Sequence, residues 1–290
     1  MILVTGATGH LGTAVLQTLL RKTEATQLAA LVRDEHKAAD LQAQGVSIRV
    51  GSYDDPASLE KAMQGIEKVL LISGGGEEDA LQQHQNVVDA AKKAGVRCLA
   101  YTSRALKDPS TLANHLMVRH FQTEAYIQAS GLSYLIFRNI LYMDVLPLFT
   151  GPQVLETGIN LPAGQGKVSF ALRSEMGEAI ANALLERDCD NRIYHFTGSE
   201  AYSFDDVAAA LTAASGKQVA YTPAEPATFA ARMQDRGVPA LVIERTLGFM
   251  TDIEHGQEAE VSPDLAQMLG RQPTSLREGV KMLYKLQQKQ

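Results

Sequence analysis

The chain has 290 residues, 45% hydrophobic and 21% charged, enough apolar material for one large α/β domain or a nucleotide domain with a smaller appendage. A net charge of -6 and the lack of any basic run exclude a broad face for nucleic acid. No apolar run approaches the ~20 residues a membrane helix needs, and a strand that starts at Ile2 leaves no room for a signal peptide ahead of it.

Residues 2–5, ILVT, are apolar and β-branched and read as a buried strand. They lead into Gly6, Gly9 and Gly12, then into an amphipathic stretch with Val15, Leu16, Leu19 and Leu20 on one helical face. Strand, glycine turn and helix in this order aim helix N-terminal N–H groups at a pyrophosphate. Gly6 makes the tight turn, Gly9 lets the backbone approach the phosphates, and Gly12 lets the helix pack on the strand. Thr8, His10 and Leu11 belong to the same cofactor-binding turn. The GxxGxxG spacing resembles the short-chain dehydrogenase/reductase side of the Rossmann folds.

Strand and helix signals then alternate. Strands are expected at 28–33, 46–50, 68–73, 97–103 and 133–138, and helices at 36–43, 56–63, 79–94 and 116–129, with Gly45, Gly65 and Gly95 at helix ends. Such an alternation predicts a parallel sheet of right-handed βαβ units. After Arg138 the pattern changes. An apolar stretch with Pro147 and Pro152 precedes the turn PAGQGKVSF and a helix at 174–186. Strands follow at 193–197 and 218–221, flanking a helix opened by Ser203, and the chain from Pro226 onward reads mainly as helices. The expected fold class is α/β: a Rossmann-type doubly wound parallel sheet over residues 1–140, with a smaller C-terminal α/β substrate lobe, mainly helical, over 141–290. The chain is expected to return to the nucleotide domain around 167–187.

An acidic residue about 20 positions past the glycines favours NAD by binding the ribose 2′-OH. Here Arg33 stands 21 residues after Gly12, followed by Asp34 and Lys37. A guanidinium and an ammonium suit a 2′-phosphate, so NADP(H) is preferred over NAD(H). Asp34 either faces the 2′-OH or caps the next helix. Asp54 is the candidate for the adenine amine, and Asp55 precedes Pro56 as an N-cap. The strand ending ISGGGEE brings Ser73 and Gly74 beneath the ribose and pyrophosphate, where close backbone approach calls for glycine.

Short-chain reductases carry a Ser after the fifth strand and Tyr-x-x-x-Lys on the next helix. This chain offers Thr102 and Ser103, then His120 in the Tyr place and Glu124 in the Lys place. An anion raises a neighbour's proton affinity where an ammonium lowers it, so the usual ketone-reducing mechanism does not transfer. At i and i+4, His120 and Glu124 also read as a plain helix-surface pair. Cys98 and Cys189 read as two unrelated free thiols without metal-ligand company. No metal is expected, and a reducing cytoplasm is the simplest setting.

VTGATGHLG, LVR, SYDD, LLIS, NVVDAAKKAGV, AYTS, HFQTEAYIQASG, FRN and AGQGKVSF together make the chain similar to the NmrA-like atypical short-chain reductases. The likeness is greatest to their bacterial NAD(P)H:quinone oxidoreductase type 2 and triphenylmethane reductase branch, and is strongest over residues 1–170. That branch also lacks the Tyr-Lys pair. The resemblance implies an NADPH-dependent reductase of quinones or other conjugated acceptors. It implies Arg138, Asn139 and Tyr142 near the nicotinamide and acceptor, with Asn139 and Tyr142 as catalytic candidates, and Lys167 beside the cofactor. Chemistry agrees: hydride transfer to a quinone yields a phenolate whose conjugate acid has a pKa of about 10, like tyrosine, so a protein acid matters less. His84, Phe137, Tyr142, Met143 and Phe149 are candidates for the acceptor slot, each also readable as core. The loop 104–113 and the helical tail are expected to form a lid. The partner expected is a small-molecule quinone or dye-like acceptor, with a second copy of the chain (a homodimer) left open. The alternative is a non-catalytic NADP(H)-binding redox sensor that regulates a protein partner.

Overall fold

In the computed structural model, which describes residues 1–74 and 79–286, successive residues of the first strand face opposite sides of a sheet buried on both faces. Leu3 packs into one apolar layer and Val4 into the other. The first half of the chain forms β1 (Ile2–Val4), α1 (His10–Lys22), β2 (Leu28–Val32), α2 (Ala39–Ala43), β3 (Ser47–Val50), α3 (Pro56–Ala62), β4 (Lys68–Leu71), α4 (Ala80–Lys93), β5 (Cys98–Arg104), α5 (Val118–Ala129) and β6 (Ser133–Asn139). Then come α6 (Leu146–Thr150), α7 (Val154–Thr157), β7 (Lys167–Val168), α8 (Arg173–Leu185), β8 (Arg192–Phe196), β9 (Tyr202–Ser203) and α9 (Phe204–Ser215). The tail holds α10 (Pro226–Asp235), α11 (Ala240–Glu254), α12 (Asp264–Leu269) and α13 (Leu276–Leu283).

Seven parallel strands run in the order β3-β2-β1-β4-β5-β6-β8. The order reverses between β1 and β4, the switch point at which such sheets open a crevice at their carboxyl ends. β2 and β4 are buried throughout, which explains the apolar sequence of β2 and of β4 after Lys68, whose Nζ is satisfied by the Leu184 carbonyl at 2.8 Å. The chain returns to the sheet through α8, which packs on α1. A Cβ on Gly177 would stand 2.6 Å from that of Ala14, and Lys22 Nζ donates to Asn182 Oδ1 at 2.6 Å. Residues beyond 187 take part too, since β8 pairs with β6 and covers its edge.

Three local expectations change. The helix expected at 36–43 is a 3₁₀ turn, Glu35–Ala38, followed by α2. β4 ends at Leu71, which leaves Ser73 and Gly74 in the loop, and the rest of that glycine run, 75–78, lies outside the described residues. The strand expected at 218–221 is only a bridge between Tyr221 and Ile159. A larger correction concerns the thiols. Cys98 and Cys189 are joined in a disulfide. They are 91 residues apart in sequence, but the return of β8 beside β6 brings their Cα atoms to 5.9 Å, inside the span a disulfide bridges. Thiol content therefore gives no argument for a reducing compartment.

The C-terminal lobe is fastened to the loop after β5. Asp252 accepts from the Ala113 and Asn114 N–H groups at 2.7 and 3.1 Å, and the Lys107 N–H donates to the Gln257 carbonyl at 3.1 Å. The loop and tail expected as a lid thus share buried bonds. Among the described residues no helix is long and apolar enough to cross a membrane.

Candidate active site

The glycine turn sets the floor. Gly6 adopts φ 56°, a conformation that favours glycine, and its carbonyl accepts from the Gly9 N–H at 3.0 Å. A Cβ on Gly12 would lie 2.3 Å from that carbonyl, so α1 meets the turn only because residue 12 has no side chain. Gly9 is the N-cap of α1 and brings no side chain to cap it, which leaves first-turn N–H groups available to an anion.

A cleft crosses the switch point from this turn. Its β2–β3 side, about 370 Å³, is lined by Thr8, Arg33 and Asp54. Its β4–β5 side, about 460 Å³, is lined by His10, Leu11, Gly12, Thr102 and Ser103. Gly6, Gly9, Ser73 and Gly74 border both halves.

On the β2–β3 side Arg33 is exposed at the strand end. Asp34 does not compete with it: its carboxylate accepts from the His36 N–H at 3.0 Å and caps the 3₁₀ turn. Asp55 caps α3 through the Ala57 and Ser58 N–H groups, as its position before Pro56 implies. Asp54 is held at the cleft wall by Gln83 Nε2 at 2.9 Å. Two expected cofactor residues lie outside the lining. The turn that buries Ala38 leaves Lys37 in solvent, and Lys167 is exposed on β7. The glycines before Lys167 serve packing: a Cβ on Gly166 would fall 2.2 Å from the Ile253 carbonyl of α11.

The β4–β5 side is a hydrogen-bonded wall. Thr102 Oγ1 accepts from the Ser73 N–H at 2.8 Å. His84 Nε2 accepts from the Gly74 N–H at 3.1 Å, so the ring proton belongs on Nδ1, facing Thr123 Oγ1 at 2.9 Å. Thr123 in turn donates to the Arg119 carbonyl. Burial pushes the His84 imidazole down to about 4, and that of His120 down to about 3 with Arg104 adding to the effect. Both rings are neutral near pH 7. His120 Nδ1 meets the Tyr101 hydroxyl at 3.0 Å, and burial pushes that phenol far up, so it stays protonated.

Glu124 is not half of a surface pair with His120. It is 4% exposed, and Arg138 grips it through two bonds, Nε to Oε1 at 3.0 Å and Nη2 to Oε2 at 2.6 Å. Ser103 Oγ donates to Oε1 at 2.5 Å. The carboxylate thus anchors the end of β5 to α5 and β6. A second buried pair, Arg104 with Glu258, ties β5 to the C-terminal lobe, and Leu141 N–H donates to the same carboxylate.

The expected acceptor residues separate. His84 and Tyr142 line the cleft, with the Arg173 guanidinium 4.6 Å over the Tyr142 ring. Burial pushes the Tyr142 phenol up, opposed by the nearby Arg104 and Arg173 charges. Asn139 is buried beneath, its amide beside that phenol. Phe137 is no slot residue: it points into the core and stacks with Tyr194 and Phe196 at 5.5 and 5.4 Å. Met143 is also fully buried, pressed on Gly279. Phe149 lines a different cavity, of about 770 Å³, between α6 and the α10–α11 pair. Sequence reasoning missed Arg104, Arg173, Arg245 and Phe249, all of which line the cleft. Only the i, i+4 spacing of Arg245 and Phe249 on α11 hinted at a shared face.

Glycine turn, reversed strand order and a cleft along the carboxyl ends define a Rossmann-type α/β protein of the nucleotide-binding class. The chain belongs to the NmrA-like family, whose sequence model matches residues 1–278. It is 37% identical over 285 residues to quinone oxidoreductase 2 of Escherichia coli, across 98% of this chain and 99% of that one. Its structure is similar to that of the Citrobacter sp. triphenylmethane reductase complexed with NADP(H), at 36% identity and a TM-score of 0.91 over 98% of this chain and 100% of that one. It is equally similar to the NADPH-dependent quinone oxidoreductase of Escherichia coli complexed with NADPH, with 36% identity, a TM-score of 0.92 and the same coverage of 98% and 100%. The chain is thus a quinone-oxidoreductase-like enzyme.

Proposed function

We propose that this protein is an NADPH-dependent reductase that passes hydride directly to a quinone or similar conjugated acceptor, without a Tyr-Lys acid/base pair. The observation that carries the reading is Glu124, a carboxylate in the lysine position that is fully engaged by Ser103 and Arg138. No ammonium stands there to make a neighbouring hydroxyl acidic.

The residues present fit a dinucleotide with a 2′-phosphate. The α1 N-terminus and the glycine turn receive the pyrophosphate, Arg33 meets the 2′-phosphate, and Asp34 is turned away into its cap. The two solved relatives complexed with NADP(H) or NADPH support this choice. Bound NADPH supplies the hydride. The protein's part is to hold a flat acceptor beside Tyr142 and His84 and to exclude water from one face. Arg104 and Arg173 line the cleft, each balanced by a carboxylate, Glu258 and Asp144, so they offer the oxygen that becomes a phenolate N–H donors rather than net charge, and solvent protonates it afterwards. His84 and His120, both neutral, hold the wall in place.

The test is NADPH against NADH consumption by purified protein with a panel of quinones and a cationic dye. Rapid NADPH oxidation with several quinones is expected. Tight NADP⁺ binding, no turnover across the panel and a co-purifying protein would select the redox-sensor alternative.

A further inference from the structure

Helix α11 lies over two cavities at once. Arg245 and Phe249 line the cofactor cleft, while Val242 and Thr246 line the separate cavity of about 770 Å³. At 100° per residue these four positions fall on one face of the helix. A second wall is shared too: the chain that leaves the cleft at Tyr142 continues into Leu148, Phe149 and Thr150 of the distal cavity. The distal cavity is further lined by Ile159, Leu161, Phe229 and Met233. Its rim exposes large apolar side chains, Leu148 at 78% and Val242 at 45%, although a free chain gains nothing by showing them to water.

We infer that the distal cavity takes the apolar tail of the acceptor, so that the preferred substrates are quinones bearing a long alkyl or prenyl chain. This rests on the reductase reading above and gives it a substrate class. The ring sits in the cleft beside Tyr142, and the chain runs along the α11 face toward Val242. From Phe249 to Val242 that path is ~10 Å at 1.5 Å per residue, too far for a methyl group and within reach of a decyl chain. A methylene buried there is worth about fourfold in affinity, so a chain that places only a few of them in the cavity lowers KM by more than about tenfold.

The experiment compares methyl- and decyl-substituted benzoquinone as acceptors for the wild-type protein and for Thr246→Trp, which fills the distal cavity. Met233→Trp, on the neighbouring helix α10, is the second variant, and thermal melts identify a variant that fails to fold. The wild type is expected to show a KM at least about tenfold lower for the decyl compound, and both variants to collapse that ratio toward one. Turnover of both quinones with equal KM, or a ratio that survives both substitutions, overturns the inference and leaves the reductase reading intact. If neither quinone is reduced, calorimetric titration of the decyl compound decides. Binding that Thr246→Trp abolishes upholds the tail site while the reductase reading falls, and absence of binding overturns the tail site as well.

Discussion

Replacing Glu124 by Gln tests the least expected part of the site. The substitution keeps the shape and removes the charge that holds Arg138 and Ser103. Removing one partner from a fully buried ion pair costs about 3–5 kcal/mol. Arg138 is 23% exposed and can recruit water, which lowers the expected loss to about 2–3 kcal/mol. An exposed i, i+4 pair with His120 would contribute only about 0.3–0.5 kcal/mol. Urea denaturation separates the two, because the slope should hold while the midpoint falls. The double variant Glu124→Gln, Arg138→Met leaves no buried charge behind, and it should regain more than half of the loss. A single-variant loss below about 0.5 kcal/mol, or a double variant as unstable as the sum of its parts, would refute the anchor.

Arg33→Ala should raise KM for NADPH by about 10- to 100-fold, the worth of a charge-assisted contact, while KM for NADH moves less than about twofold; equal changes would remove Arg33 from the 2′-phosphate. Cys98→Ser should destabilise the protein by about 4–5 kcal/mol for a loop of 91 residues, and peptide mapping without reductant should recover the Cys98–Cys189 link; two free thiols in the native protein would contradict it. Stability should fall as pH drops from the ordinary histidine value of 6.5 toward about 4, because the unfolded chain protonates His84 while the folded chain resists. His84→Gln should flatten that fall by up to about 3 kcal/mol in urea titrations across the window, leaving the part that His120 contributes, and an unchanged slope would show that His84 is not among the groups that cause it.

What could be read in the sequence follows from where each constraint acts. The glycine turn is a backbone constraint confined to seven residues, and the geometry that makes it necessary, Gly12 against the Gly6 carbonyl, involves nothing further along the chain. Period and caps gave the first six strands to within two residues at most ends, since a strand buried on both faces has little compositional freedom. Phe137 shows the limit. Strand alternation fixes that it faces one side of β6, but its core partners there, Tyr194 and Phe196, come from β8, whose place in the sheet no local signal marks. The disulfide was hidden for the same reason, since Cys189 meets Cys98 only once β8 has joined β6. Lys167 is a different case: its place beside the cofactor is what the family resemblance implies, and its position on exposed β7, outside the cleft lining and next to glycines packed on α11, is set by contacts no local pattern encodes.

The acceptor side was less legible because it is assembled from β5, α5, the turn after β6, the start of α8 and α11, segments with no common pattern. Its charges are coupled across those segments. Glu124 carries the same charge whether it lies on a helix surface or under Arg138, and the sequence assigns it an i, i+4 partner by default. What breaks the default is burial. A carboxylate removed from water needs compensating donors, and β5 and β6 pair in a register that puts Ser103 opposite Arg138. That register makes Ser103 a donor to Glu124 and so withdraws it from the role a serine plays at this place in ketone-reducing relatives. Under the proposed function, an acceptor that needs no protein acid is the chemistry that suits this wall, which is why the fate of one carboxylate bears on the substrate class.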